Sequence, residues 1–349
     1  MDKIRIKEKY YIIMIQNLNN KINPAFISGF TQADGVFHVD ISRSKDYKLG
    51  VRVTPKFNVC QHTDSINLLH EIKEFFNVGH ITTNKNRNEA NYTVNSFPKL
   101  KEVILPHFDK YTLKSGKLES YVKFKEIIYL IDKKAHLDVN GLIKIIELSY
   151  SLNFGTQRKL ENREELINLV LEKSTLCATT LLVKDSLEYD LIDIAESSIN
   201  PEFLSGLSDG DGSFFVSFRK NKRITVSYTI IQDSGCKSLL TEVRNYFNCG
   251  KVYDLKSRAV RFQVENLTDI TNIIIPHFIK YPLRTNKIEH FRIFCKVCEL
   301  LLSKDHKTNE GYNKIIELAY EMNKNGKGRS LPKKDFIELI VNKDLYDLE

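Results

Sequence analysis

The chain has 349 residues, 42% of them hydrophobic, which is enough to bury two cores of ordinary domain size. A formal net charge of +8 favours a polyanionic partner such as nucleic acid. The apolar run from Tyr10 to Ile15 is too short for a bilayer span and the six cysteines follow no repeated spacing, which argues against a membrane protein and against a disulfide or zinc framework.

The first patterned segment is a short apolar helix, predicted from Asn23 to the acidic residue of the Asp34-Gly35 pair. Apolar and polar residues then alternate around 37–42 and 52–59, which is typical of half-buried strands. The unit is completed by a helix over 65–76, strands at 80–84 and 91–95, and helices over 99–105, 115–131 and 140–153. The predicted order is therefore helix, two strands, helix, two strands and further helices.

The same order of helices and strands occurs twice along the chain. Residues 200–214 read like residues 23–37, and Gln61 and Gln232 lie 171 residues apart in matching contexts. Other shared segments sit at an offset of 170 or 171. A unit that is duplicated in one chain predicts an internal pseudo-dimer, and hence a protein that acts as a monomer.

We expect an α+β fold of two pseudo-symmetric αββαββα units, each with a four-stranded antiparallel sheet. Such a sheet must bury its apolar face under its own helices, which leaves the polar face exposed. The predicted organisation is an N-terminal extension at 1–22, a first unit at 23–160, a linker with one helix at 161–198, and a second unit at 199–349.

The two polar faces hold hydrogen-bonding side chains of mixed length and few glutamates, which suits a β surface laid into a DNA groove better than a merely solvated face. The candidate DNA-binding residues of the first sheet are His38, Asp40, Ser42, Arg52, Thr54, Lys56, Asn58, His80 and Thr82. Those of the second sheet are Phe215, Ser217, Arg219, Arg223, Thr225, Ser227, Thr229, Lys251, Tyr253, Arg261 and Gln263.

Small residues lie four apart on one face of each acidic-ended helix: Gly29 with Ala33, and Gly206 with Gly210. This spacing lets two backbones approach closely and predicts that the two helices pack on each other, the alternative being that each packs only on its own sheet. Asp34 and Asp211 would then emerge side by side. Two adjacent carboxylates repel each other unless metal ions sit between them.

The nonapeptides Ile27 to Gly35 and Leu204 to Gly212 resemble the paired signature of the LAGLIDADG homing endonucleases, in the form with both copies on one chain. The similarity runs from about Asn23 to Ile340, because the order of elements also fits that family. The motif departs from the family pattern at Thr31-Gln32 and Ser208-Asp209, which we expect on the helix surface. The resemblance implies a site-specific endonuclease whose two sheets form a saddle on double-stranded DNA and which cuts both strands, in the service of intron homing.

The resemblance also implies roles for individual residues. Asp34 and Asp211 match the family's ligands for a divalent metal, Mg²⁺ by default, and we assign the preceding Ala33 and Gly210 to the same metal site. The residues expected to orient water are Gln61 and Gln232, and those expected to offset charge on the transition state are Lys117 and Lys287. Lys110 and Lys280 are alternatives for the role of the two lysines.

Two other functions fit this scaffold. One is an intron maturase that binds its host group I intron RNA and assists splicing, with or without cutting DNA. The other is a DNA-binding regulator on an inactive nuclease. Retention of both members of each acidic, glutamine and lysine pair favours an active nuclease.

Abundant Ile, Asn, Lys and Tyr with no Trp are typical of an AT-rich coding genome and predict an organellar, mitochondrial origin.

Overall fold

The computed structural model describes residues 16–17, 20–152, 160–175, 199–219, 223–326 and 332–343. Most of the expected N-terminal extension and linker lie outside these residues. Within the described part, no helix is both long and apolar enough to cross a membrane.

The first unit begins with a helix and contains one sheet. Its elements are α1 Pro24–Asp34, β1 Gly35–Arg43, β2 Val51–His62, α2 Ile66–Phe76, β3 His80–Asn84, β4 Glu89–Val94, α3 (Phe97–Lys99, a π-helical turn Leu100–Ile104, and Leu105–Lys110), α4 Ser115–Asp132, α5 Val139–Ser151 and α6 Leu160–Thr175.

The second unit repeats this order. Its elements are α7 Pro201–Asp211, β5 Gly212–Phe218, β6 Ile224–Asp233, α8 Lys237–Phe247, β7 Lys251–Leu255, β8 Ala259–Val264, α9 (Leu267–Asp269, a π-helical turn Ile270–Ile274, and Ile275–Lys280), α10 Lys287–Leu302, α11 Asn309–Gly326 and α12 Lys333–Lys343.

Each unit holds one antiparallel four-stranded sheet, in the orders β1-β2-β4-β3 and β5-β6-β8-β7. The predicted fold class is therefore confirmed. One face of each sheet is covered by the helices of its own unit and carries the core: Phe37 is fully buried against Phe57, with ring centroids 5.4 Å apart. The equivalent Phe214 lies 5.2 Å from Tyr228. Burial of such aromatic rings contributes several kcal/mol each.

Helices α1 and α7 pack on each other by direct backbone contact. Each is started by an asparagine cap, and Asn23 Oδ1 accepts a hydrogen bond of 2.9 Å from the Ala25 amide. A Cβ placed on Gly29 would lie 1.8 Å from the carbonyl oxygen of Phe203, and one on Gly206 would lie 2.1 Å from that of Phe26. Only glycine permits this approach, so the predicted pairing of the two helices is confirmed.

The helix expected within the linker belongs to a repeated element. Helix α6 places Leu166 and Val170 in a cluster with Leu142 of α5 and Val51 of β2. Its counterpart α12, which the comparison of the two sequence copies missed, packs on the equivalent corner of the second unit. There Phe336 lies 5.1 Å from Phe218. The exact unit boundaries stay a prediction.

A buried histidine ties each acidic-ended helix to the loop that precedes α4 or α10. Ser28 Oγ donates to the Tyr111 carbonyl at 2.6 Å and lies 3.3 Å from His107 Nε2. In the second unit Ser205 Oγ lies 3.1 Å from His277 Nε2. Burial lowers the pKa of His107 to about 4 and, with a smaller effect from Lys280, that of His277 to about 3.

These histidines predict acid instability. An unfolded histidine has a pKa near 6.5, so the unfolded chain binds more protons than the folded chain below that pH. The stabilisation by the neutral rings should be complete above about pH 6.5 and be lost as pH falls toward 3 or 4, at roughly 3 kcal/mol or more per histidine. Denaturant unfolding at a series of pH values tests this. The slope of stability with pH should be shallower in His107→Gln and His277→Gln, and an unchanged slope would contradict the assignment.

Candidate active site

The two acidic residues lie together where α1 and α7 end. A Cβ on Gly210 would lie 2.2 Å from Ala33 Cβ and 3.0 Å from Asp34 Oδ2, so the C-terminal ends of the helices converge. Burial, and next the charge of Asp211, raise the pKa of Asp34 to about 6. Burial also raises the pKa of Asp211. Two half-buried carboxylates that lie side by side repel each other, and a bound cation would relieve this repulsion.

Each carboxylate is held by the glutamine at the end of the second strand of its own sheet. Gln61 Nε2 donates to Asp34 Oδ2 at 2.6 Å, and Gln232 Nε2 donates to Asp211 Oδ2. Since both strands run antiparallel to the strands that begin after the aspartates, their ends return to the helix termini. The structure thus brings together the acidic and glutamine residues that the sequence singled out.

The lysines in the first turns of α4 and α10 extend to the C-terminal ends of α1 and α7, close to the two aspartates. Lys117 Nζ donates to the Gly35 carbonyl at 2.6 Å, and Lys287 Nζ donates to the Gly210 carbonyl at 2.8 Å. Burial lowers the pKa of both lysines, and the nearby carboxylates oppose that effect.

The alternative lysines lie differently. Lys110 Nζ stands 5.4 Å from the centre of the Tyr111 ring, and Lys280 Nζ stands 5.2 Å from that of Tyr281. The geometry therefore favours Lys117 and Lys287 over these two.

The residues that depart from the family motif are buried, so the prediction that they lie on the helix surface is wrong. Thr31, Gln32, Ser208 and Asp209 are at most 2% exposed. The side chains of Gln32 and Asp209 hold the loops that carry the lysines: Gln32 Oε1 accepts from the Lys114 amide at 2.9 Å. The helix surface is covered there because the other helix and the loop pack on it.

Asp209 makes the larger set of these bonds. Its Oδ2 accepts from the Arg284 amide at 2.6 Å and from the Thr285 amide at 2.9 Å, and its Oδ1 accepts from Thr285 Oγ1. Burial raises the pKa of Asp209, while Lys287 and these donors lower it. Asp209 thus fixes the position from which Lys287 extends.

Each lysine-bearing loop also contacts the opposite unit. Lys114 Nζ pairs with Glu242 of α8 at 2.6 Å, and Arg284 Nη1 pairs with Glu71 of α2 at 2.5 Å. The Arg284 side chain is only 6% exposed, so charge pairing there is stronger than on an open surface. These pairs are pseudo-symmetric, since their members recur at offsets of 170 and 171.

As a result, residues of both units line the space beside Gln61. A cavity of about 230 Å³ is lined by Gln61 of the first unit and by Gly210 and Lys287 of the second. We term the group of Asp34, Gln61 and Lys287 the first composite site. The equivalent group of Asp211, Gln232 and Lys117 is the second composite site.

The donors at these sites fit a hard divalent cation. They are carboxylate, amide and backbone carbonyl oxygens, including that of Gly210. Within the described residues, no group of three or more His, Cys, Asp and Glu side chains forms a closed metal cage. Mg²⁺ typically binds to one or two carboxylates and completes its shell with water and substrate phosphates, so an open site of this composition suits it.

The strand pairing places the candidate DNA-binding residues that lie within the strands on the face opposite the core. Arg219 and Arg223 lie just outside β5 and β6, where the Arg219 amide donates to the Arg223 carbonyl at 2.8 Å. The prediction that Thr229 is an exposed DNA-binding residue is wrong. Thr229 lies on that face but is only 4% exposed, because it sits in a central strand between Ser213 and Gln263. On the first sheet, His38 Nε2 donates to Asp40 Oδ1 at 2.6 Å.

Lys56 also pairs with Asp40 and, with His38, lowers its pKa against the effect of burial. On the second sheet, Arg261 stacks over the Tyr253 ring at 5.8 Å.

Sequence reasoning missed several residues of the site. Gln32 and Asp209 hold the lysine-bearing loops, and the ion pair of Arg284 with Glu71 joins one of these loops to the opposite unit. A signal for the ion pairs existed, because a basic residue and a glutamate recur in both copies at the duplication offsets.

Comparison with known proteins decides the family. The family model described as LAGLIDADG endonuclease matches residues 27–128 and 204–298. The chain is 34% identical over 266 residues to a protein of Mycosarcoma maydis named probable intron-encoded DNA endonuclease 1, covering 76% of this chain and 95% of that protein.

The chain belongs to the LAGLIDADG endonuclease family. The prediction of this family from the two nonapeptides is therefore confirmed. Among solved structures, the LAGLIDADG homing endonuclease I-SmaMI bound to cleaved DNA is similar with a TM-score of 0.73 and 30% identity, over 88% of this chain and 99% of that one. I-SmaMI bound to an uncleaved DNA target in the presence of calcium ions gives a TM-score of 0.72 and 29% identity, over 87% and 100% of the two chains.

Proposed function

We propose that the protein is a site-specific, divalent-metal-dependent endonuclease that cuts both strands of a duplex DNA target. The observation that carries this proposal is the pair of composite sites at the converging ends of α1 and α7, each with an aspartate, a glutamine and a lysine. Two such sites in one chain match the two strands of a duplex. Similarity to I-SmaMI, which was solved on cleaved DNA, supports the same activity.

The chemistry is hydrolysis of a phosphodiester at each site. Asp34 and Asp211 hold divalent metal, Mg²⁺ by this proposal, which when bound supplies Lewis-acid stabilisation of the attacking and leaving oxygens. Gln61 and Gln232 orient the attacking water through their amides. Lys117 and Lys287 place a positive charge where negative charge develops, in a partly buried setting that strengthens the interaction.

Specificity is proposed to come from the exposed sheet faces, which present side chains able to hydrogen bond with base edges. Phosphate contacts add affinity and positive net charge favours them. The Mycosarcoma maydis relative is named as intron-encoded, which supports intron homing and, with the composition of this chain, an organellar and mitochondrial origin. A maturase role on host intron RNA is the alternative, and RNA binding alone would require none of the three paired residue types.

Lys287→Met is expected to slow cleavage by about 100-fold or more while binding of the duplex changes little, because the charge acts mainly on the transition state. Single-turnover cleavage in Mg²⁺ and binding in Ca²⁺, which we expect to suppress cutting, measure the two effects on a target recovered from a randomised library. Lys280→Met is the matched control, since Lys280 lies over the Tyr281 ring. Equal losses of cleavage and binding in Lys287→Met would assign this lysine to ground-state binding.

Arg261→Ala is expected to relax the preference at particular base pairs and to cost about 1 to 3 kcal/mol of binding free energy, as loss of a bidentate base contact does. Arg244→Ala, on the exposed side of α8, is the control with no expected effect on specificity. Binding to a set of single-substitution targets at fixed salt measures both. A loss that is uniform over all targets would place Arg261 on a phosphate, and no loss would remove it from the interface.

A further inference from the structure

The outer face of the second sheet becomes apolar at one end of its central strand β6. The outward side chains of β6 are polar at Thr225, Ser227 and Thr229, and the next outward one is Ile231, which is 44% exposed. Among the described residues, four of the ten large hydrophobic side chains that are exposed lie on the outer sheet faces. Exposed apolar residues that are concentrated on one surface indicate a partner that covers them.

Ile231 lies in a row with an arginine and a tyrosine. It pairs with Arg261 of β8, which in turn pairs with Tyr253 of β7, so that the three side chains stand side by side on the outer face. The guanidinium of Arg261 lies 5.8 Å from the centre of the Tyr253 ring. Stacking of this kind fixes the plane of the guanidinium and leaves its terminal amines able to donate hydrogen bonds.

This row lies beside the second composite site. Gln232 is the next residue of β6, and its amide donates to Asp211. Successive side chains of a strand point to opposite faces, so Ile231 faces outward where Gln232 turns to the carboxylate. A base pair that contacts the row therefore lies close to a phosphodiester that the protein is proposed to cut.

The side chains of the row match groups that DNA presents in its major groove. An arginine can donate two hydrogen bonds to O6 and N7 of guanine, and an apolar side chain can contact the C5 methyl group of thymine. An aliphatic side chain has no donor or acceptor with which to recognise the other base edges. The methyl group of thymine is thus the group that Ile231 can distinguish.

We propose that Ile231 is a specificity-determining residue that contacts the C5 methyl group of a thymine, next to the base pair that Arg261 contacts. This inference rests on the proposed endonuclease function and deepens it, because it names a chemical group of the substrate. In the first sheet the equivalent row is Cys60, Asn91 and Thr82. It holds no large aliphatic side chain, so the methyl contact of this row belongs to one half of the target.

The test replaces the thymines of the target recovered from the library by deoxyuridine, one at a time. This change removes the methyl group and keeps the base pair. Binding of the wild-type protein in Ca²⁺ should weaken about fourfold at the thymine that Ile231 contacts, as expected for one methyl group that is no longer buried. In Ile231→Ala the same replacement should weaken binding by less than about 1.5-fold.

A second duplex set separates the methyl group from the identity of the base pair. The same thymine is replaced by cytosine or by 5-methylcytosine, each paired with guanine. The wild-type protein should bind the 5-methylcytosine duplex about fourfold more tightly than the cytosine duplex, and Ile231→Ala should bind the two alike. Equal binding of the two duplexes by the wild-type protein would contradict recognition of the methyl group.

Leu302→Ala is the matched control. Leu302 is a 55% exposed aliphatic residue at the end of α10, a helix that packs on the core face of the same sheet through Phe291 and Phe214. This variant should keep every deoxyuridine effect of the wild-type protein. Each effect is a ratio measured on one preparation, so partial unfolding cancels. If Ile231→Ala fails to bind any duplex, Ile231→Ser carries the same expectation.

A scan in which no deoxyuridine effect disappears in Ile231→Ala would overturn the inference and leave the nuclease function standing. An effect that disappears equally in Leu302→Ala would overturn it as well. A wild-type protein that neither binds nor cuts a defined duplex would instead contradict the proposed function.

Discussion

Asp34→Asn and Asp211→Asn, tested separately, are expected to abolish double-strand cleavage while specific binding of the duplex stays nearly intact. The carboxylates lie at the converging helix ends and are proposed to hold metal, not bases, so their loss removes catalysis by a factor of about 1,000 or more. Each change should also relieve repulsion between the two acids, because Asp211 helps to raise the pKa of Asp34. The folded variants should therefore be as stable as wild type or more so.

Plasmid linearisation in Mg²⁺ and duplex binding in Ca²⁺ measure the two effects. Asp254→Asn is the matched control, because that exposed carboxylate pairs with Lys237 away from the composite sites. If either Asp34→Asn or Asp211→Asn linearised the target at the wild-type rate, the assignment of the active site would be wrong.

Gly29→Ala is expected to destabilise the protein by about 3 kcal/mol or more. The new Cβ would lie 1.8 Å from the carbonyl oxygen of Phe203, and a backbone atom in a packed helix cannot move aside without separating α1 from α7. The cost should exceed the gain of about 1 kcal/mol that alanine brings to a helix interior. Cleavage should fall as well, because separation of the helix ends moves the carboxylates.

Gly116→Ala is the matched control for this loss. It makes the same chemical change in α4, and among the described residues a Cβ there would meet no neighbouring atom within 4 Å. Its stability in denaturant should stay within about 1 kcal/mol of wild type. A Gly29→Ala protein as stable as Gly116→Ala would contradict the close packing of the two helices.

The duplication made most of the fold predictable. Alternation around Phe37 and Phe57 indicates strands with one buried face, and repetition of the pattern requires two sheets. The glycines four residues apart predict the helix pair, because only small side chains allow that approach. The aspartate, glutamine and lysine pairs could be found because they recur in both copies. These signals are local or periodic, and a sequence displays them directly.

The composite nature of the sites could not be predicted in the same way. It depends on loops that cross to the opposite unit, where Arg284 meets Glu71 over more than 200 positions of chain. The burial of Gln32 and Asp209 could not be predicted from the sequence for a related reason. A polar residue on a short helix is expected to face water, unless the partner that covers it is known.

The most direct test of the central claim is incubation of the purified protein with a randomised duplex DNA library in Mg²⁺, with binding to host intron RNA measured in parallel. We predict cleavage of both strands at one long target, with short 3′ overhangs, and affinity for that duplex that falls steeply as salt rises. Asp34→Asn should remove the cleavage and keep the binding. Tight RNA binding and accelerated splicing, with no sequence-specific binding or cutting of duplex DNA, would contradict the account and identify a maturase.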